Sequence, residues 1–124
     1  MNLNLILWIV QALLAAMFLL AGVMKVFQYE RAKASWPWVK DVSKGLVTFI
    51  GISDLLGGLG LILPWLTGIL PWLTPLAAAG VALIMILATI FHIRRGESSV
   101  IIFNLVLLAL AVFVAYGRWF MVYT

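Results

Sequence analysis

Four long apolar stretches separated by short polar ones set the pattern of this chain. Leu3 to Met24 carries no charged residue and, as a helix, reaches roughly 33 Å at 1.5 Å per residue, enough to cross a bilayer core. Residues 46–63, 73–93 and 100–118 supply three more apolar stretches of spanning length. Pro64 is expected to end the second, because its ring removes a donor and clashes with the preceding turn. The expectation is an all-α fold: one domain over residues 1–124, an integral membrane bundle of four transmembrane helices.

The connectors differ in character. Residues 25–44 are polar, with Arg31, Lys33 and Lys40, and Trp36, Pro37 and Trp38 break their pattern, so part of this segment is expected to lie as an interfacial helix. PWLTGILPWLTP, from Pro64 to Pro75, repeats PWLT at heptad spacing without a charge. It reads as a turn embedded at the membrane surface, with Trp65 and Trp72 at headgroup level.

Within the helices, small and polar residues form inward stripes. Gln11, Ala15, Phe18, Gly22 and Lys25 share a face of the first, Gly51, Asp54 and Gly58 of the second, and Asn104, Leu108, Ala111, Ala115 and Arg118 of the fourth. Gly57 and Gly60 widen the second stripe. Small residues let helices approach closely in lipid, so these stripes predict a tight bundle.

Composition sharpens the membrane reading: 66% of residues are hydrophobic, 10% are charged and the mean hydropathy is +1.21. The net charge of +4 and pI near 9.9 would suit nucleic acid, but the basic residues flank the apolar stretches. They read as topology determinants and lipid contacts, and no nucleic acid is expected. The first stretch is longer than a signal-peptide core and has no basic residue before it, so it reads as a retained span. Lys25, Arg31, Lys33, Lys40, Lys44, Arg94 and Arg95 fall on one side and Arg118 on the other. The positive-inside bias then puts the first group in the cytoplasm and both termini outside.

Asp54 is the chain's most informative residue. A carboxylate inside an apolar span costs roughly 2.5 to 3.5 kcal/mol at a helix centre unless it faces a partner or a wet cavity. Eight residues past Leu46, it lies roughly 12 Å along its helix, on the same side as Lys25, His92 and Asn104. These four form a candidate ligand-binding cluster. Each also has a plainer reading: Asp54 paired with Lys25 or His92 as packing glue, Lys25 snorkelling to the headgroups, Asn104 bonding between helices. Gln11 reads as glue at the other end, and Arg94 or Arg95 could pair with Glu97. No cysteine is present, which removes disulfides and thiolate chemistry, and a lone histidine with few acids makes no metal site. The Gly57, Gly58 and Gly60 cluster lacks the strand and turn of a dinucleotide loop. No Ser, His and acid constellation is spaced for nucleophilic catalysis.

The segments FLLAGVMK (18–25), DLLGGLGLILPWLTGILPWLTPLAAAGVALIMI (54–86), FHIRRGE (91–97) and NLVLLALAVFVAYGR (104–118) resemble the DoxX-like family of small bacterial membrane proteins. The resemblance covers nearly the whole chain and implies a four-helix membrane bundle. In that family the acidic position before the LLGGLGLILP run is often Glu, and here it is Asp54. The family takes its name from a subunit of a thiosulfate:quinone oxidoreductase, and some relatives are associated with membrane oxidoreductase complexes. No residue here suits the electron-transfer step of that reaction.

The leading expectation is a binding site for a lipophilic small molecule such as a quinone, serving membrane redox or stress response, with quinone the cofactor implied. Asp54 would accept a hydrogen bond or proton, His92 relay it and Lys25 balance the charge. Alternatives are a homo-oligomeric transporter of a small solute or proton, and an assembly partner of membrane proteins.

Overall fold

The structure, a computed structural model, describes residues 2–123, with side chains through Met121. Met1 and Thr124 of the expected domain lie outside the described residues. The order is α1 (Leu3–Phe27), α2 (Tyr29–Ser35), a 3-10 turn (Pro37–Asp41), α3 (Lys44–Thr67), α4 (Leu73–Arg95) and α5 (Ser98–Tyr123). Of the four long helices the shortest, α4, has 23 residues and so measures about 35 Å, enough to span the bilayer core. Leu20, Leu56, Leu83 and Ile102 stand more than half exposed on the bundle's outside. Apolar side chains displayed so widely on long apolar helices belong against lipid. The chain is a multi-pass membrane protein.

The helix ends follow from local chemistry. Asn2 Oδ1 accepts from the Leu5 amide at 2.7 Å and opens α1, while Ser43 Oγ accepts from the Leu46 amide at 3.1 Å and opens α3. Gly96 closes α4 at φ 74°, the left-handed conformation that lets α5 begin two residues later. The connector expected at the interface is α2 and the 3-10 turn, with Pro37 starting the latter.

Pro64 does not end the second span. It lies inside α3, which continues to Thr67. A proline ring leaves the carbonyl four residues earlier without its helical donor, and here that carbonyl, Gly60 O, accepts from Thr74 Oγ1 at 3.0 Å. A side chain from α4 satisfies the orphan, so the helix runs on. The turn therefore shrinks from the expected residues 64–75 to the few between Thr67 and Leu73. The other helices also run past their expected ends, α1 to Phe27, α4 to Arg95 and α5 from Ser98 to Tyr123.

Neighbouring helices close a ring in the order α1, α3, α4, α5 and back to α1. The expected stripes face inward: Gln11, Ala15, Phe18, Gly22 and Lys25 are all buried, as are Gly51, Asp54 and Gly58. On α5, Asn104, Ala111 and Arg118 are buried, with Leu108 and Ala115 half-buried between them. Glycine sets the α1–α3 distance, since a Cβ on Gly51 would sit 2.7 Å from Lys25 Cβ and one on Gly22 would sit 2.8 Å from Gly51 O. In lipid, backbone approach of this kind supplies the packing that the hydrophobic effect cannot.

The ring is tighter at one end. Gly60 against Ala77, Gly57 against Val81, Gly117 against Leu7 and the Thr74 bond to Gly60 all lie toward the Pro64 end. Toward the Lys25 end the α1–α3 pair and the α4–α5 pair leave a cavity between them.

Candidate functional site

The cavity has a volume of about 650 Å³, and all four long helices contribute to its wall. Lys25, Asp54, His92 and Asn104 all line it. Most of the remaining wall is apolar or aromatic, including Phe18, Met24, Met85, Phe91 and Leu107. Leu20 and Phe103, and likewise Phe49 and Leu87, line the cavity while standing exposed on the outer surface. It therefore opens sideways between helices.

Asp54 sits ten residues into α3, about 15 Å along it, because the helix begins at Lys44 and not at Leu46. Its partner is Lys25, whose Nζ donates to Asp54 Oδ2 at 2.7 Å. The two are 9% and 2% exposed. Lys25 thus turns into the bundle and does not snorkel. Its ammonium also lies 5.3 Å from the Trp36 ring centre and 5.5 Å from that of Trp38. The aromatic pair that interrupts the connector's sequence pattern is what caps this charge, through the attraction of a cation to ring faces. Trp36 and Trp38 line the cavity as well, so the connector forms its lid.

His92 does not bond Asp54. Its Nδ1 lies 2.8 Å from Glu97 Oε1. The hydrogen bond from His92, followed by that from Arg95, holds the Glu97 carboxyl below the usual carboxylate range despite some desolvation. A carboxylate only accepts, so His92 Nδ1 carries the proton and Nε2 is left without a hydrogen bond among the described residues. Arg95 extends the chain, donating from Nε to Glu97 Oε1 and from Nη1 to Asp41 Oδ2, both at 2.8 Å. It ties the connector to the end of α4.

Asn104 holds no helices together. Its side chain makes no hydrogen bond to any described residue, although it is only 7% exposed and its Nδ2 is fully buried. A buried amide without a partner forfeits the hydrogen bonds it makes in water, at about 1 to 3 kcal/mol. It is the one member of the predicted cluster that folding leaves unsatisfied.

A second polar cluster, at the opposite end, was read only in part from the sequence. Arg118 is fully buried and donates from Nε to Gln11 Oε1 and from Nη1 to Asn4 Oδ1. Gln11 Nε2 in turn donates to Leu61 O, joining α1, α3 and α5. Trp65 lies 4.4 Å from the guanidinium carbon, so it serves as a stacking face as well as a flank of the turn. The available signal was the position of Gln11 and Arg118 on two inward stripes.

With this geometry in view, comparison with known families is decisive: the DoxX-like family model matches residues 9–114. The chain belongs to the DoxX-like family. The match covers most of the chain and includes Lys25, Asp54, His92 and Asn104, whereas Asn4 and Arg118 fall outside it. Neither the curated proteins nor the solved structures gave a match to this DoxX-like protein.

Proposed function

We propose that this DoxX-like protein binds a lipophilic small molecule of the quinone class in the cavity between its helix pairs, as an accessory to membrane redox or stress response. The observation that carries the reading is Asn104, an unpartnered buried amide on the wall of a lipid-accessible cavity of about 650 Å³. Pockets of that size with apolar walls and a few polar groups suit an amphiphile whose tail lies among the apolar residues and whose head finds the polar ones. Asn104 offers such a head an N–H donor. His92 Nε2 offers a second polar atom, and through Nδ1 and Glu97 the ring links the cavity to the turn after α4. Lys25 and Asp54 neutralise each other, so the wall favours an uncharged head.

The same reading places the protein in a bacterial cytoplasmic membrane, with the Lys25 and His92 end toward the cytoplasm and both termini outside, following the distribution of basic residues. The test is native mass spectrometry of detergent-purified protein, with and without added decylubiquinone, comparing wild type and Asn104→Leu. The expected result is a retained quinone-class mass or decylubiquinone adduct in wild type that falls at least tenfold in the variant. No adduct in wild type, or equal adducts in both, overturns the proposal.

A further inference from the structure

The other end of the bundle carries a separate polar cluster. Arg118 is fully buried, yet all its hydrogen-bond partners are neutral: Gln11 Oε1 on Nε, and Asn4 Oδ1 with Met121 Sδ on Nη1. Nη2 has no hydrogen-bond partner among the described residues. The rings of Trp8 and Trp65 lie 5.4 Å and 4.4 Å from the guanidinium carbon. The chain has only four acidic residues, Glu30, Asp41, Asp54 and Glu97, and none is paired with Arg118. A guanidinium remains protonated at any physiological pH, so among the described residues a full positive charge is buried without a counter-charge.

We propose that Arg118 is the core of a phosphate-binding site for the headgroup of an anionic lipid. Three observations fit that occupant. Arg118 lies twenty residues past Ser98, about 30 Å along a membrane-spanning helix, which is the thickness of a hydrocarbon core. Trp8 and Trp65 beside it are the side chains enriched at headgroup level. Asn4, which accepts from Nη1, is itself exposed, so one hydrogen-bonded surface side chain separates the guanidinium from the bundle's exterior. The planar fork of N–H donors, with Nη2 free, suits two phosphate oxygens at once. The site is separate from the cavity, which Arg118 does not line.

The experiment is native mass spectrometry of the full chain released from nanodiscs of phosphatidylcholine containing increasing phosphatidylglycerol. Wild type is compared with Arg118→Gln and with Arg94→Gln, which removes one exposed charge at the opposite end. Retained phosphatidylglycerol is expected to fall about tenfold or more in Arg118→Gln and little in Arg94→Gln. Inorganic phosphate is added to separate sources: displacement of lipid by millimolar phosphate makes the free anion a competing occupant, and persistence makes the lipid the occupant. Equal retention in wild type and Arg118→Gln overturns the proposal. Should Arg118→Gln fail to fold, the thermal midpoint of wild type decides. A rise with phosphatidylglycerol beyond that with phosphatidylcholine, lost in high salt, supports the site, and equal midpoints overturn it.

Discussion

The two ends of the bundle bury a cation each and treat it in opposite ways. At the open end Lys25 meets a carboxylate, is capped by two tryptophans and borders a cavity. At the closed end Arg118 meets only neutral acceptors among the described residues and lies where Gly117 lets the Leu7 side chain pack close against its helix. An opposite charge at contact distance compensates a lysine within its own helix pair, because Lys25 and Asp54 sit on α1 and α3. The neutral cluster instead joins α1 and α5, the ring's closing seam, with Gln11 also reaching α3. Ionic pairing thus leaves the α1–α3 pair free of α4 and α5 at one end, whereas amide bonding ties the pairs together at the other.

The sharpest break of that contrast is Asp54→Asn. It keeps an acceptor for Lys25 but leaves the buried charge uncompensated, and a loss of about 3 kcal/mol is expected in detergent unfolding. Removing both charges, as Asp54→Asn with Lys25→Met, is expected to recover most of that loss, which a double-mutant cycle measures directly. Gln11→Leu at the closed end takes the Nε partner from a buried guanidinium, and about 2 kcal/mol is expected by the same assay. Thr74→Val, which strips the hydroxyl from the carbonyl freed by Pro64, is expected to cost about 1 kcal/mol.

The smallest effect is at the open end's surface. The Glu97 carboxyl is held low in the folded protein by His92 and Arg95, so its contribution is full above the ordinary glutamate value of about 4.3. It fades as pH falls through the lowered folded value. Thermal midpoints measured against pH are expected to lose part of their acid limb in Glu97→Gln.

Much of this fold was legible because lipid imposes two simple demands, length and small contact residues. Long apolar runs located four helices, and the stripes through Gln11, Gly51 and Asn104 identified the inward faces of three of them. The end of α3 was misread because the effect of a proline depends on what meets the orphaned carbonyl, and Thr74 lies fourteen residues from Gly60. The sequence leaves Lys25 between a headgroup anchor and a partner of Asp54 for a similar reason. Lys25, its partner Asp54 and its caps Trp36 and Trp38 come from three separate segments, which no local pattern joins. Spacing put Lys25, Asp54, His92 and Asn104 on the same side of the bundle, and they do line one cavity. Helix rotation decided the pairing, giving His92 to Glu97 and leaving Asn104 alone. Arg118 showed in the sequence as an inward position, but its stack on Trp65 required α3 to continue past Pro64.

The exposed rims of the cavity, Leu20 with Phe103 and Phe49 with Leu87, give onto acyl chains. A molecule entering there diffuses in two dimensions and never crosses water. Occupancy then follows its mole fraction in the bilayer, and the aqueous concentration matters only through partitioning. Fusing proteoliposomes with empty vesicles is expected to drain the cavity, while diluting the same proteoliposomes with buffer leaves a poorly water-soluble ligand in place.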